Sequence, residues 1–415
     1  MIETSEFEPH TVPAPSDAAV SVIGDALLTD ARAMSDELAA WRHELHRKPE
    51  VGLNTPVTTS FISRRLAEAR IEHEVGESGQ VVALIGSAGP SRCVLLRADI
   101  DALPFEERSG EPWASTNGCS HSCGHDMHAT ALLGAARLLK AREQQLVETG
   151  GCVKLLFQPG EETFEGASAA IGACVLESPH VDAAFAMHVN GRCPMGLMIY
   201  GEEEFAGVWG FRVTLRGRGG HGSAPEKCID PITAAVHVHT AIGEVMSREV
   251  AAGTEAVLSI GKFWGGAAAN AIPDECVLEG TLRAYDAEVM AAIEARVREV
   301  VASVSAAYRT AAEIDDLSRV PPVVVDEPFT RACLSYVGRA LPEMRFRGIQ
   351  HSLGAEDFAF FSSRVPSAYF TVGAAAKDAE ERFSMHDPRV RFDDDELPVG
   401  AAAYAAVALG WLADA

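Results

Sequence analysis

An eight-residue stretch of this sequence sets several metal-ligand side chains close together. Residues 121–128 read His-Ser-Cys-Gly-His-Asp-Met-His and stand before an alanine-rich run that predicts a helix over Ala129 to Ala141. Deprotonated cysteine sulfur and neutral imidazole are ligands that zinc and similar transition metals prefer. The stretch therefore favours a metal site, although histidines near a helix start also act as caps or contact solvent.

Further ligand types stand at three other points of the chain. The acidic pair Glu161 and Glu162 follows an apolar, strand-like run, and the single histidines His188 and His386 lie beside two more segments. Taken alone, two adjacent glutamates are most often a solvated acidic turn. Together with the first stretch, these segments supply five candidate ligands: Cys123, His125, Glu162, His188 and His386.

Five ligands exceed the needs of one tetrahedral zinc ion, so a site for two metal ions is indicated. Such a pair activates water and polarises a carbonyl group, for which amide hydrolysis is the natural reaction. Because successive side chains of extended backbone face opposite ways, one glutamate of the pair Glu161 and Glu162 is expected to bind metal. The other would face the substrate as a general base.

Two other classes of function remain open from the residues alone. Cys123 with a nearby histidine could form a cysteine hydrolase, whose activity would survive a chelator. That reading leaves the acidic pair, His188 and His386 without a role. A binding protein without catalysis is the second alternative, and the presence of a spare carboxylate in the acidic pair argues against it.

Alternating helices and strands must position these residues. Apolar runs between Gly, Ser and Pro predict buried strands at Val81 to Gly86, Cys93 to Ile100, Val153 to Gln158 and Ala183 to Val189. Helical periodicity predicts helices at Asp36 to Arg47, Thr58 to Ala69 and Gly166 to Leu176. This order indicates an α/β architecture with helices packed on a mixed sheet.

The candidate residues fall where the predicted strands end. Asp99 and Asp101 close one strand, the acidic pair follows another, and His188 closes a third. In open α/β sheets, ligands bind beyond the carboxyl ends of the strands. The positions therefore predict one site rather than scattered polar residues.

The pattern changes after about Phe205. The run to Leu317 predicts a β-α-β-β-α-β unit, the ferredoxin-like motif, as an inserted α+β domain. Beyond Pro321 the α/β pattern returns, with helices at Phe329 to Ala340, Ala355 to Ser362 and Leu397 to Leu412 and a strand at Ala368 to Val372. We predict a tail and docking segment over residues 1–29, a catalytic domain over 30–205 and 320–415, and the insertion over 206–319.

Composition limits the class of partner. The chain has 415 residues, 47% of them hydrophobic, and a formal charge of −24, which disfavours nucleic acid and anionic membrane surfaces. The N-terminal residues predict neither a signal peptide nor a membrane-spanning helix. Nine cysteines, an odd number without regular spacing, are typical of a reducing cytoplasm. A small-molecule partner is therefore expected.

Several motifs occur in one order between about Leu38 and Leu412. They are Trp-Arg-His-Glu-Leu-His at 41–46, Arg-Ala-Asp-Ile-Asp-Ala-Leu-Pro at 97–104, Cys-Gly-His-Asp-Met-His at 123–128, Phe-Gln-Pro-Gly-Glu-Glu at 157–162, Met-His at 187–188, Gly-His-Gly-Ser-Ala-Pro at 220–225 and Met-His at 385–386. In these motifs the chain resembles the M20 family of metallopeptidases. It is most similar to the amidohydrolase branch, which includes hippurate hydrolases, N-acyl-amino-acid amidohydrolases and auxin-conjugate hydrolases.

The resemblance implies a role for each motif residue. It implies a two-metal catalytic domain with an inserted lid domain that mediates homodimer formation. The ligands would be Cys123, His125, Glu162, His188 and His386. Glu161 would be the base, and Asp99 the carboxylate that orients a ligand. On the lid, His221 would reach toward the substrate, while Asn270 and Arg283 would contact the tetrahedral intermediate or the substrate carboxylate.

The motifs leave alternatives for the reaction and for the metal. Arg97 stands where aminopeptidase and carboxypeptidase members have a histidine ligand, and a guanidinium cannot bind metal, so the amidohydrolase branch is favoured. Hydrolysis of an N-acyl amino acid is the expected reaction, with dipeptide or carboxypeptidase cleavage as the alternative. Zinc or manganese is the expected metal, and cobalt or nickel would also fit such mixed ligands.

Overall fold

Two structural units make up the chain. The computed structural model describes residues 13–87, 89, 91–201, 205–348, 353–379 and 381–414. The second unit takes in Phe205–Val323 and a short segment ending at Ala359, and the first unit takes in most of the remaining chain. The prediction placed the segment ending at Ala359 in the catalytic domain, whereas the structure groups it with the second unit. Ala206 N donates to Gly354 O (2.8 Å) and Arg283 donates to Leu353 O (2.7 Å), which ties the segment to the second unit.

The first part of the chain builds most of the first unit. Its helices are α1 (Asp17–Ile23), α2 (Leu27–Arg32), α3 (Ser35–His46), α4 (Pro56–Glu68), α5 (His125–Lys140), α6 (Glu143–Glu148) and α7 (Gly166–Gly172). Its strands are β1 (His73–Val75), β2 (Val81–Gly86), β3 (Arg92–Asp99), β4 (Gly151–Gln158), β5 (Ala183–Asn190) and β6 (Leu197–Tyr200). The predicted N-terminal docking segment thus contains α1 and the start of α2, and its first twelve residues lie outside the described part.

The second unit follows the β-α-β-β-α-β order. Its elements are β7 (Gly207–Arg216), β8 (Gly220–His221), α8 (Pro231–Arg248), β9 (Ala256–Gly265), β10 (Ala271–Ile272), β11 (Glu275–Ala284), α9 (Ala287–Ala307) and β12 (Ala311–Val320). Four of these strands form an antiparallel sheet in the order β12-β7-β11-β9, and β8 pairs with β10 apart from it. A core that includes Trp209, Phe211, Ile242 and Val297 joins this sheet to α8 and α9.

The chain then returns to the first unit. It adds α10 (Glu327–Ala340), β13 (Arg345–Gly348), α11 (Ala359–Ser362), β14 (Ser367–Gly373) and α12 (Glu396–Ala413). The resulting sheet has eight strands in the order β1-β2-β4-β3-β5-β14-β6-β13. Strands β4, β3, β5 and β14 run parallel to one another, whereas β2 runs antiparallel to β4 and β6 runs antiparallel to β14, so the sheet is mixed.

The parallel strands explain why the site forms at one edge. Strands β3 and β4 are buried along almost their whole length, as their apolar runs predict for strands covered on both faces. Because β3, β4 and β5 point the same way, the residues that follow them meet at the same edge of the sheet. The predicted α/β architecture with a mixed sheet is confirmed.

Helix α12 is the central helix of this unit. It packs against α5, α10 and α1, and nearly all of its residues are buried. Among the described residues it has the length and apolar composition of a membrane span, but 89% of that window is buried inside the protein. It therefore has the character of a core helix.

Three predicted element boundaries are wrong. Helix α5 begins at His125 rather than Ala129, so the metal-ligand motif enters the helix. Helix α7 ends at Gly172, four residues before the predicted end, and a series of turns follows. Helix α11 begins at Ala359 rather than Ala355, because the Glu356 side chain accepts a hydrogen bond from Phe358 N (2.9 Å) and holds a turn there.

Candidate active site

A glycine in a left-handed conformation sets the start of the site. Gly124 is the N-cap of α5 with φ 85°, a backbone conformation that side chains rarely allow. A Cβ atom there would lie 2.3 Å from Val189 Cγ2, so the position also has no room for one. Cys123 and His125 flank this glycine, and both are buried.

The first ligand group joins α5 to β5. Cys123 Sγ lies 3.3 Å from His188 Nε2, and the ligand atoms of Cys123, His125 and His188 all lie within 4.8 Å of one another. His188 Nδ1 donates to the carbonyl oxygen of Val189 (2.6 Å). The lone pair of the neutral ring is therefore on Nε2, the atom that faces the thiol.

The second ligand group brings the returning segment to the site. The ligand atoms of Cys123, Glu162 and His386 lie within 4.8 Å of one another, and His386 Nε2 is 3.3 Å from Glu162 Oε1. His386 N donates to Ser122 O (3.2 Å), which fastens the segment beside α5. Cys123 belongs to both groups, so its sulfur could serve as a ligand in each of them.

The acidic pair lies in a turn, which corrects the prediction that its side chains face opposite ways. Residues 161–164 form this turn, and extended backbone is not present there. Glu161 Oε2 and Glu162 Oε1 each lie 3.9 Å from His125 Nε2. Asp101 fixes the turn, because its two oxygens accept hydrogen bonds from Glu161 N (3.1 Å) and Glu162 N (3.2 Å).

Asp101 is the residue whose role the sequence reasoning missed. It lies just beyond the end of β3, but nothing in the sequence links its side chain to a backbone sixty residues away. Asp101 Oδ1 also lies 3.4 Å from His125 Nδ1. One buried carboxylate therefore positions the acidic pair and faces a candidate ligand.

Asp99 stands at the centre of a second buried network. Its Oδ1 is 2.5 Å from His128 Nδ1, and its Oδ2 accepts a hydrogen bond from Arg97 (2.7 Å). His128 Nε2 accepts from Val189 N (2.8 Å), so both ring nitrogens of His128 are engaged. Asp99 Oδ1 also lies 3.8 Å from His125 Nε2, within reach of the cluster.

The unpaired atoms of the cluster fit metal ions. Among the described residues, both ring nitrogens of His125 and Glu162 Oε1 are buried without a hydrogen-bond partner. Burial raises the pKa of the Cys123 thiol well above its usual value, and Glu162 and Glu161 add to this effect. Burial opposes protonation of His125, yet Asp99 and Asp101 outweigh it and raise its pKa to about 10. Both effects come from the carboxylates around the cluster, whose negative charge two divalent metal ions would balance.

The three candidate residues of the second unit make local contacts. His221 is exposed, and its Nδ1 accepts from Ser223 N (3.2 Å), so the neutral ring carries its proton on Nε2. Asn270 is exposed, and its main-chain carbonyl oxygen accepts a hydrogen bond from Gly222 N (2.8 Å). This bond holds the Asn270 loop beside His221. Arg283 is half-buried on β11 and donates to Leu353 O (2.7 Å). The structure thus places His221 near Asn270 within this unit.

Comparisons with known proteins identify the family. The model of "Peptidase family M20/M25/M40" matches residues 95–410. IAA-amino acid hydrolase ILR1-like 4 of Arabidopsis thaliana is 32% identical over 385 residues, covering 91% of this chain and 86% of the relative. N-acetylcysteine deacetylase of Bacillus subtilis is 32% identical over 384 residues, covering 91% of this chain and 97% of the relative.

A solved structure agrees with these matches. The Bacillus subtilis YXEP protein, described as a dinuclear metal binding peptidase from the M20 family, has a TM-score of 0.77 and 31% identity. The match covers 92% of this chain and 99% of that one. The resemblance drawn from the motifs is confirmed, and the chain is a hydrolase that belongs to peptidase family M20/M25/M40.

Proposed function

We propose that the protein is a metal-dependent amidohydrolase that cleaves N-acyl amino acids, including hippurate-like compounds, to a carboxylic acid and a free amino acid. One observation carries the proposal: Cys123 belongs to both ligand groups, while the Glu161 carboxylate lies beside His125. Two relatives support the substrate class, since one is named as a hydrolase of IAA-amino acids and another as a deacetylase of N-acetylcysteine.

The side chains divide the reaction between them. Cys123, His125, Glu162, His188 and His386 would hold two divalent metal ions. When bound, such ions lower the pKa of water and polarise the amide carbonyl. Glu161 accepts a proton from the attacking water as its oxygen bonds to the carbonyl carbon. The protonated Glu161 then gives that proton to the amine nitrogen as the carbon–nitrogen bond breaks.

Four further residues would orient the metal ligands or contact the substrate. Asp99 holds His128 and faces His125, so it orients the ligand cluster. In the second unit, we propose that His221 stabilises the developing oxyanion and that Asn270 and Arg283 bind the substrate. A proton on His221 Nε2 suits this role, because that nitrogen is a donor.

We propose zinc or manganese as the metal, and cobalt or nickel would also suit a set of sulfur, nitrogen and oxygen ligands. We further propose a cytoplasmic homodimer that binds neither nucleic acid nor membranes. The second unit would act as lid and dimer contact. Edge strand β9 supports the contact, because Phe263 and Trp264 are 41% and 46% exposed there.

A paired substrate panel tests the reaction. Purified protein is assayed with N-benzoyl and N-acetyl amino acids beside dipeptides that carry the same C-terminal residue. We expect higher kcat/KM for the N-acyl amino acids. Better turnover of the dipeptides would favour a metallo-dipeptidase or carboxypeptidase, the alternative supported by the description of the YXEP protein as a peptidase.

A chelator separates this proposal from a cysteine hydrolase. We expect chelation to abolish activity and added divalent metal to restore it. A cysteine nucleophile needs a lowered pKa, whereas burial raises the pKa of Cys123. Activity that persists after complete removal of metal would contradict the proposal.

A further inference from the structure

Helix α3 reaches the metal-ligand motif through a buried carboxylate. Asp126 follows His125 directly in the first turn of α5 and is 1% exposed. Its Oδ2 accepts hydrogen bonds from Arg42 Nε (2.8 Å) and from His46 Nδ1 (2.7 Å). Asp126 is not among the five candidate ligands, so these contacts call for another explanation.

The two donors of α3 are themselves held in place. His46 Nε2 lies 3.0 Å from Glu107 Oε1, so each ring nitrogen of His46 faces a carboxylate. A second nitrogen of Arg42 donates to Asp394 Oδ1 (2.9 Å), just before α12. Buried ion pairs whose atoms are this well matched keep their side chains in a single orientation.

The start of α5 lacks the usual means of fixing a helix end. Its N-cap is Gly124, which has no side chain to bind the free N–H groups of the first turn. The residues on either side, Cys123 and His125, must nevertheless hold a set orientation to share metal ions. Asp126 is the side chain of this turn that is hydrogen-bonded to a neighbouring helix by two donors.

We propose that Asp126 and His46, with Arg42, form a positioning network that fixes the first turn of α5 so that Cys123 and His125 are preorganised for metal binding. This inference rests on the proposed function, because it takes Cys123 and His125 as ligands. Adjacent helical residues are about 100° apart around the axis, so holding Asp126 also sets the direction of His125. Asp126 and His46 act through the ligands and touch neither metal nor substrate.

The alternative is that these ion pairs only dock α3 on the protein. His43 separates the two readings, because it lies on the same helix but bonds to Asp394 Oδ2 (2.7 Å) and not to Asp126. It also stacks on Trp113, with ring centroids 3.5 Å apart. Loss of the His43 bond therefore weakens the docking of α3 and leaves the Asp126 contacts in place.

A titration of metal-free protein with Co²⁺ tests the proposal. Absorbance from the bond between cobalt and thiolate reports binding at Cys123 without any assay of activity. Removal of residues that support ligands typically weakens metal binding 10- to 100-fold, so we expect His46→Gln to weaken Co²⁺ affinity about 10-fold. His43→Gln is the matched control and should stay within about 2-fold.

Further variants keep the test decisive. Arg42→Lys retains the charge but not the fork that joins Asp126 to Asp394, and it should also weaken Co²⁺ binding. If the network acts as one unit, His46→Gln combined with Asp126→Asn should bind Co²⁺ no more weakly than the weaker single variant. Thermal unfolding of each metal-free variant identifies any that fails to fold.

Other results would overturn the positioning role of Asp126 and His46, or the proposed function as well. Equal losses for His46→Gln and His43→Gln, or wild-type affinity in His46→Gln, would overturn the positioning role and leave the proposed function intact. Fully additive losses in the double variant would also overturn it. Wild-type protein that binds no Co²⁺ would contradict both the proposed function and this inference.

Discussion

The candidate residues of the two units differ in how they are solvated. In the first unit, Cys123 and His125 are 7% and 1% exposed, and both nitrogens of His125 lack a partner among the described residues. In the second unit, His221 and Asn270 are exposed, and they bond to Ser223 and to Gly222 of the same unit. Unpaired buried polar atoms cost free energy unless a ligand pairs with them, whereas exposed ones do not. We therefore expect the first cluster to hold tightly bound ions and the second group to make transient contacts.

The largest expected effect comes from the shared ligand. Because Cys123 belongs to both ligand groups, Cys123→Ala should lose binding of both metal ions and reduce activity to background. His386→Ala should weaken binding in one group only. Elemental analysis of dialysed protein measures the difference.

Cys333→Ala is the matched control for the shared ligand. Cys333 is another buried cysteine of the first unit, but it lies in the core cluster with Leu334 and Val337. We expect this variant to keep its metal content. Equal metal loss in Cys333→Ala would show that a buried thiol matters only for packing.

The next effect separates catalysis from metal binding. Glu161→Gln removes the proposed base but keeps the size of the side chain, so kcat should fall by about 10²- to 10⁴-fold. Metal content should stay unchanged, because Glu162 is the proposed ligand of the pair. Steady-state kinetics and elemental analysis on the same sample test this. Glu161→Gln with wild-type kcat would remove Glu161 from the reaction.

Much of the first unit could be predicted from the sequence. Buried strands such as β3 and β4 are continuous apolar runs, and residue types predict candidate ligands, so a candidate site at their carboxyl ends could be inferred. Strands β6 and β13 are not predicted because they are four residues long at or near the sheet edge, and none of the residues of β13 is fully buried. Such strands carry little hydrophobic pattern.

The arrangement of the acidic pair could not be predicted. Its turn depends on hydrogen bonds from Glu161 N and Glu162 N to Asp101, which is distant in sequence. The same holds for Asp126, whose partners Arg42 and His46 lie more than seventy residues away. Sequence pattern indicates which residues are polar and buried, but not which partners satisfy them.

A smaller effect is expected in the second unit. His221→Gln should lower kcat and Arg283→Lys should raise KM, and each should lose about 10-fold in kcat/KM for a lost hydrogen bond to a charged group. Metal content should match that of wild type, because these residues lie outside the ligand cluster. Kinetics with an N-acyl amino acid measure the change. Loss of metal from either variant would contradict the distinction between the metal-binding cluster of the first unit and the substrate-contacting residues of the second unit.

The smallest effect concerns stability in acid. Burial opposes ionisation of Glu107, but the hydrogen bond from His46 outweighs it and lowers the pKa of Glu107 to about 2. A carboxyl with a lowered pKa stabilises the fold above its unfolded pKa of about 4.3 and loses that contribution as pH falls toward 2. The stability difference between wild type and Glu107→Gln should therefore shrink between pH 5 and pH 2.

Chemical denaturation of metal-free protein measures this dependence. Glu106→Gln is the control, since Glu106 is an exposed neighbour in sequence. We expect the free energy of unfolding of Glu106→Gln to follow wild type at every pH. A constant difference between wild type and Glu107→Gln over this range would contradict the assignment.

Anomalous X-ray scattering from crystals of the metal-loaded enzyme tests the two-ion site most directly. The ligand groups predict two ions, each about 2.3 Å from the sulfur of Cys123 if the metal is zinc. One should also contact His125 and His188, and the other Glu162 and His386. An active enzyme with a single ion, or with no ion at Cys123, would contradict this account.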